Sequence, residues 1–104
     1  MAAGNGTTGV ERTGILKVAG GKMVRVRLRE AEGRIESIRF TGDFFLHPEE
    51  DIDVLEESMV GVSLEHADLL GTLSSFFRTR ELVGASPEDF AMLIVNSVYV
   101  SPQR

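Results

Sequence analysis

Cysteine and tryptophan are both missing from this chain of 104 residues. Without cysteine there is no disulfide framework, no thiolate nucleophile and no thiolate-bound zinc or iron–sulfur site. Histidine occurs only at His47 and His66, too few for the three or four convergent ligands a metal site usually draws together. No apolar run approaches the roughly 20 residues that span a bilayer. Met1 to Gly9 lack the basic flank and apolar core of a signal peptide. Together these absences set the expectation of a cytoplasmic protein. Positive charge is scarce after residue 42: residues 43–104 hold three arginines against twelve acids, a net of −9. Residues 1–42 hold eight Lys/Arg against four acids, a net of +4, so the overall charge of −5 conceals a dipole along the chain. Such a dipole steers partners and does not select a fold.

What is present is enough apolar residue, 42%, for one domain with a modest core. Residues 1–12 read as a flexible tail and 13–104 as the folded domain. Ile15 to Val18 reads as a short strand, broken by the turn at Gly20-Gly21. Lys22 to Arg29 alternates, with Val24, Val26 and Leu28 on one face and Arg25, Arg27 and Arg29 on the other, the period of a half-buried strand. Ala31-Glu32-Gly33-Arg34 reads as a hairpin turn with Gly33 left-handed. The next strand, Arg34 to about Thr41, carries Ile35 out of phase with Ile38 and Phe40, which calls for a bulge near Glu36.

After Gly42 the pattern becomes helical. Pro48 suits the first position of a helix, followed by the acids Glu49, Glu50 and Asp51. Ile52, Leu55 and Met59 form its apolar stripe and Gly61 its left-handed end. Ser63 is placed to cap a second helix with Leu64, Ala67, Leu70, Leu73 and Phe77 facing inward, widened by Leu69 and Phe76. Gly71 in its middle costs about 1 kcal/mol unless a close contact needs it. Thr79 to Ala85 is a connection, partly extended at Glu81-Leu82-Val83. Ser86-Pro87-Glu88-Asp89 is a strong helix start, with Phe90, Leu93, Ile94 and Val98 as the buried face. Pro102 closes the chain. The expected fold class is α+β: an antiparallel sheet of about three strands, followed by three helices packed on one face.

Asp43, His47, Glu49 and Glu50 resemble a metal or acid–base cluster, but acids at a helix start are ordinarily a capping and dipole device. The Arg25/Arg27/Arg29 stripe is open to two readings, a nucleic-acid face or a solvated sheet surface. The sequence pI of about 5.0 and the lack of interleaved aromatics favour the second. Gly20-Gly21-Lys22 has neither the full spacing of a phosphate loop nor the helix that should follow it. Phe44-Phe45 reads either as a packed pair or as an anchor for a partner.

Lys17-Val18-Ala19-Gly20-Gly21-Lys22-Met23-Val24-Arg25-Val26, then Gly33-Arg34-Ile35, Gly42-Asp43-Phe44-Phe45 with Pro48, Leu55-Glu56 and Gly61 resemble the C-terminal accessory domain of lipoate–protein ligases. The resemblance runs from about Lys17 to about Ser97, and the junction after the strands is its most specific part. In this family the domain is either fused behind a catalytic domain or made as a separate small protein; a chain with no catalytic half looks like the separate form. The resemblance implies a non-catalytic subunit that forms a heterodimer with a catalytic lipoate–protein ligase subunit. It implies a need for this subunit in activating lipoate with ATP to lipoyl-AMP, before transfer to a lysine of an acceptor domain of a 2-oxoacid dehydrogenase or of the glycine cleavage H protein. ATP, Mg and lipoate would be held in the complex and not by this chain alone, and no catalytic residue is carried over. Docking is assigned to Lys17, Gly20, Gly21 and Lys22 together with Asp43, Phe44, Phe45, His47 and Pro48. The family's fold is similar to the SufE/NifU-like fold of sulfur-transfer and iron–sulfur scaffold proteins, whose chemistry needs the cysteines this chain lacks. The alternatives are a nucleic-acid-binding module on the arginine stripe and an independent small enzyme.

Overall fold

The computed structural model describes residues 9–100. Its elements are β1 (Val10–Lys17), β2 (Met23–Ala31), β3 (Arg34–Gly42), β4 (Phe45–His47), α1 (Ile52–Met59), α2 (His66–Phe76), β5 (Glu81–Val83), α3 (Pro87–Val95) and β6 (Val98–Val100). Four strands form one antiparallel sheet in the order β3-β2-β1-β6, and β4 pairs with β5 in a separate two-stranded ribbon. The α+β class and the three helices agree with the sequence reading. The strand count does not: the described residues hold six strands where about three were expected.

The reasons are local. β1 begins at Val10, so Val10, Glu11 and Arg12 pair with β2 and do not belong to a tail. Charged Glu11 and Arg12 and the side-chain-free Gly14 hide the alternation that would have announced this half of the strand. Arg12 lies on the inner side, where it donates to Glu30 and to the carbonyl of Ser97. β6, with three residues, is too short to show a period; it pairs with β1 and moves β1 from the expected edge to the interior of the sheet. Val98, expected on the buried face of a helix, instead sits in β6 and is exposed. Residues 1–8 of the expected tail and Pro102 lie outside the described residues.

The central hairpin follows the reading closely. Glu32 and Gly33 both take positive φ, the pairing a tight two-residue turn demands. Arg29 pairs with Ser37 but Glu30 with Ile35, so Glu36 is the extra residue of a bulge. That extra residue turns Ile35 onto the inner face, where it is fully buried. The exposed edge of β3 is protected in two places. The Phe40 amide donates to the Glu56 carboxylate of α1, and Ile35 exchanges backbone hydrogen bonds with Gly61 and Val62. Both contacts consume groups that would otherwise recruit another strand.

The helices cover the inner face of the sheet. Val24, Val26, Leu28, Ile38 and Phe40 are buried against Leu55 and Met59 of α1, Leu69, Leu73 and Phe76 of α2, and Phe90, Ala91, Leu93 and Ile94 of α3. Phe90 is the centre of the aromatic packing, stacked on Phe40 at 4.7 Å and edge-on to Phe44 and Phe77. Gly14 admits α3 to this layer, because a Cβ there would stand 2.9 Å from the Leu93 carbonyl.

Helix starts divide into one agreement and two corrections. Ser86 caps α3 in a reciprocal box with Asp89, as its sequence announces. Pro48, by contrast, is not the first residue of α1: it precedes a 3-10 turn at Glu49–Asp51, and α1 begins at Ile52. Ser63 does not cap α2, whose N-cap is Glu65. Its hydroxyl accepts from the Glu65 amide and donates to Asp68, closing the turn before the helix. The later start shifts the buried stripe of α2 to Leu69, Leu73 and Phe76; Ala67 is exposed, and Leu64, Leu70 and Phe77 are half-buried.

Gly71 lies on the outer side of α2, and a Cβ there would meet nothing within 4 Å. No close packing explains it. Gly71→Ala is therefore expected to stabilise the domain by up to about 1 kcal/mol through helix propensity, read as a higher urea midpoint with an unchanged slope.

Candidate docking surface

The β1–β2 turn sits at one end of the sheet. Gly20 and Gly21 both adopt left-handed φ, which closes a loop held by the Val18 amide on the Lys22 carbonyl and the Gly21 amide on the Val18 carbonyl. Lys17 and Lys22 flank it, both exposed. Next to it, β3 ends at Gly42, where the backbone takes φ 132° and a Cβ would collide with the Met23 carbonyl. Asp43 then clasps the start of β2. Its amide donates to the Met23 carbonyl, and its carboxylate accepts from the Met23 amide at 3.0 Å. The Asp43 carboxylate is thus engaged with backbone rather than presented as an acid, base or metal ligand. Among the described residues no three His, Asp or Glu side chains converge on a metal position.

Phe44 and Phe45 split as alternation in an extended segment requires. Phe44 turns inward, half-buried, with its ring edge-on to Phe90 at 5.1 Å. Phe45 turns outward and is 69% exposed. On the β4–β5 ribbon Phe45 stands directly opposite Val83, itself 49% exposed, and His47 opposite Glu81. The inner residue of the ribbon, Leu46, is buried. The 3-10 turn beyond the ribbon is fixed by Asp51, which accepts from Arg80 at 2.7 Å while that guanidinium lies over the Phe76 ring.

Two participants in this surface were missed by the sequence reading. Val83 was assigned only to a partly extended connection; three residues give too short a pattern to reveal a pairing across 38 positions of chain. Gly84, at φ 97°, lets the segment after β5 nest against the junction. A Cβ there would stand 2.8 Å from the Asp43 carbonyl and 3.7 Å from the Lys22 side chain. The glycine directly after the extended Glu81-Leu82-Val83 is the signal the sequence offers for it. The tertiary structure therefore brings Lys22, Asp43, Phe44 and Gly84 together at one end, with Phe45 and Val83 beside them. His47 and Pro48 continue from this group toward α1, exposed.

The arrangement is an exposed apolar pair on a rigid ribbon, with two lysines nearby on a tight turn. It supplies burial and charge to a partner, the usual composition of an anchor within a polar surround. Among the described residues no helix is long and apolar enough to cross a membrane.

A family model described as "Bacterial lipoate protein ligase C-terminus" matches residues 16–94. The chain is 35% identical over 69 residues to lipoate-protein ligase A subunit 2 of Thermoplasma acidophilum, an overlap of 65% of this chain and 71% of that one. Among solved structures it is similar to a chain from the study of an archaeal lipoylation system, a bi-partite lipoate protein ligase and its E2 lipoyl domain from Thermoplasma acidophilum. The TM-score is 0.73 and the identity 28%, over 83% of this chain and 96% of that one.

Proposed function

The chain belongs to the bacterial lipoate protein ligase C-terminus family, and from that premise we propose that it is the accessory subunit of a two-component lipoate–protein ligase. In this role it docks on a catalytic subunit and is required for ATP-dependent activation of lipoate to lipoyl-AMP. The lipoyl group then passes to a lysine of an acceptor domain. The observation that carries the reading is the extent of the structural likeness: the fold matches 96% of a chain from the bi-partite ligase study, not a fragment of it.

The physical contribution is docking and not chemistry. The Phe45–Val83 pair is the apolar anchor, with Lys22 near it at Gly84, Lys17 at the end of β1 across the Gly20-Gly21 turn, and Asp43 and Gly84 shaping the backbone beneath. ATP, its magnesium and lipoate are substrates and ligands of the assembled complex, which works in the cytoplasm. Seating a rigid domain against a catalytic subunit orders the loops around an adenylation site and excludes water from it, which raises the rate without a donated group.

The test is lipoate-dependent ATP–pyrophosphate exchange by the cognate catalytic subunit, with and without this chain. Exchange is expected only when both are present. Full exchange by the catalytic subunit alone would refute the accessory role.

A further inference from the structure

The outer face of the four-stranded sheet, away from the helices, concentrates the chain's positive charge. Strand register places Arg25 and Arg27 side by side with Thr41 and Arg39 of β3 and with Ile15 and Thr13 of β1. Between them lies an open hollow of about 340 Å³. Two acids stand at the far end. Glu11 is 3.6 Å from Arg27, and Glu36 approaches Arg29 beside Gly9. Among the described residues, Arg25 and Arg39 form no ion pair, although both are exposed on a rigid sheet. Ile15 and Val98, 60% and 61% exposed, add apolar area to the same face. The other side of the domain has the opposite sign: residues 43–100 hold twelve acids against Arg78 and Arg80.

We infer that this face receives the protein substrate of the ligase, by binding an acidic surface on the acceptor domain around its target lysine. The inference rests on the accessory-subunit reading above. Charge complementarity names the occupant: uncompensated arginines on a flat face favour an acidic, folded partner. The division of surfaces gives its role. A subunit that stays bound uses the apolar anchor at the Phe45 end, whereas a substrate that must leave after each turnover suits a charge-dominated face on which Ile15 and Val98 add only a limited apolar area. Lys17 joins the two surfaces, so a domain seated on the arginine face lies next to the docked catalytic subunit. Nucleic acid fits less well. Among the described residues no aromatic ring stands in the arginine stripe to stack a base, Tyr99 being paired with Arg12 on the inner side, and the net charge of −5 repels a polyanion.

The test uses the complex of both subunits with the triple variant Arg25→Glu, Arg27→Glu, Arg39→Glu, and with Arg25→Gln, Arg39→Gln as a milder pair. The acceptor is a recombinant lipoyl domain with an acidic surface. ATP–pyrophosphate exchange, which needs no acceptor, should be unchanged. The KM for the acceptor should rise by about tenfold or more in the triple variant with kcat little altered, and the KM of the unmodified complex should rise with salt far more steeply than that of the variant. An unchanged acceptor KM, with exchange still dependent on this chain, overturns the inference and leaves the accessory role standing. Loss of that dependence in the unmodified complex refutes the accessory role instead. Salt-sensitive binding of a single-stranded RNA, or self-association of this chain, abolished by the triple variant while the acceptor KM is unchanged, would assign the face to that ligand.

Discussion

Replacing Phe90 by alanine is expected to destabilise the domain by about 3–5 kcal/mol, the range for truncating a buried phenylalanine. Domains of this size have a total stability of roughly 5–15 kcal/mol, so the substitution removes a large share of it and brings a domain at the low end of that range close to unfolding. The magnitude follows from position. Phe90 is fully buried and touches three segments distant in sequence: Phe40 of β3 at 4.7 Å, Phe44 of the junction at 5.1 Å and Phe77 after α2 at 6.0 Å. Truncation opens a cavity that no single segment can fill without leaving the others, so relaxation is limited. Phe90→Leu retains most of the volume and should cost considerably less. Urea unfolding checks this. A Phe90→Ala midpoint close to that of the unmodified domain would show that the aromatic cluster collapses readily and is not the point on which the layers join.

The second large effect is on association. Phe45→Asp should leave the melting curve of the isolated domain nearly unchanged, because the ring is 69% exposed and makes little contribution to the core. Its affinity for the catalytic subunit should fall by about 30-fold or more, the equivalent of a hot-spot loss of about 2 kcal/mol or greater. A carboxylate in place of the ring removes apolar area and forces a charge into a desolvated contact. Titration calorimetry of the two subunits reads the affinity directly. Undiminished binding with the fold intact would place the interface elsewhere and remove the Phe45–Val83 pair from the docking surface. A comparable loss on Val83→Asp would support the ribbon, rather than one residue, as the anchor.

The parts of this molecule legible in its residue order are those whose cause is short-ranged. The β2–β3 hairpin announces itself through alternation, Gly33 and the phase slip at Ile35, and the structure contains the bulge that slip requires. The α3 start is written in Ser86-Pro87-Glu88-Asp89 because cap and capped amides are within four residues of each other. The split of Phe44 and Phe45 was open in the sequence, since alternation dictates that neighbours part but not which one finds a core. Contacts closed over long stretches of chain decided the rest. β6 is a strand because β1 has a free edge 85 residues away in sequence to receive it, and β5 because β4 lies opposite it. Three-residue strands have no stability of their own and no period to read; pairing makes them. The α2 stripe moved for the same kind of reason, since Ser63 spends its hydroxyl on a turn, and the helix presents whichever residues the sheet and α3 meet after that. The composition fixed an arginine-rich strand and an aromatic junction. Alternation along β2 already set its arginines opposite the apolar face; only packing set Phe45 beside Val83.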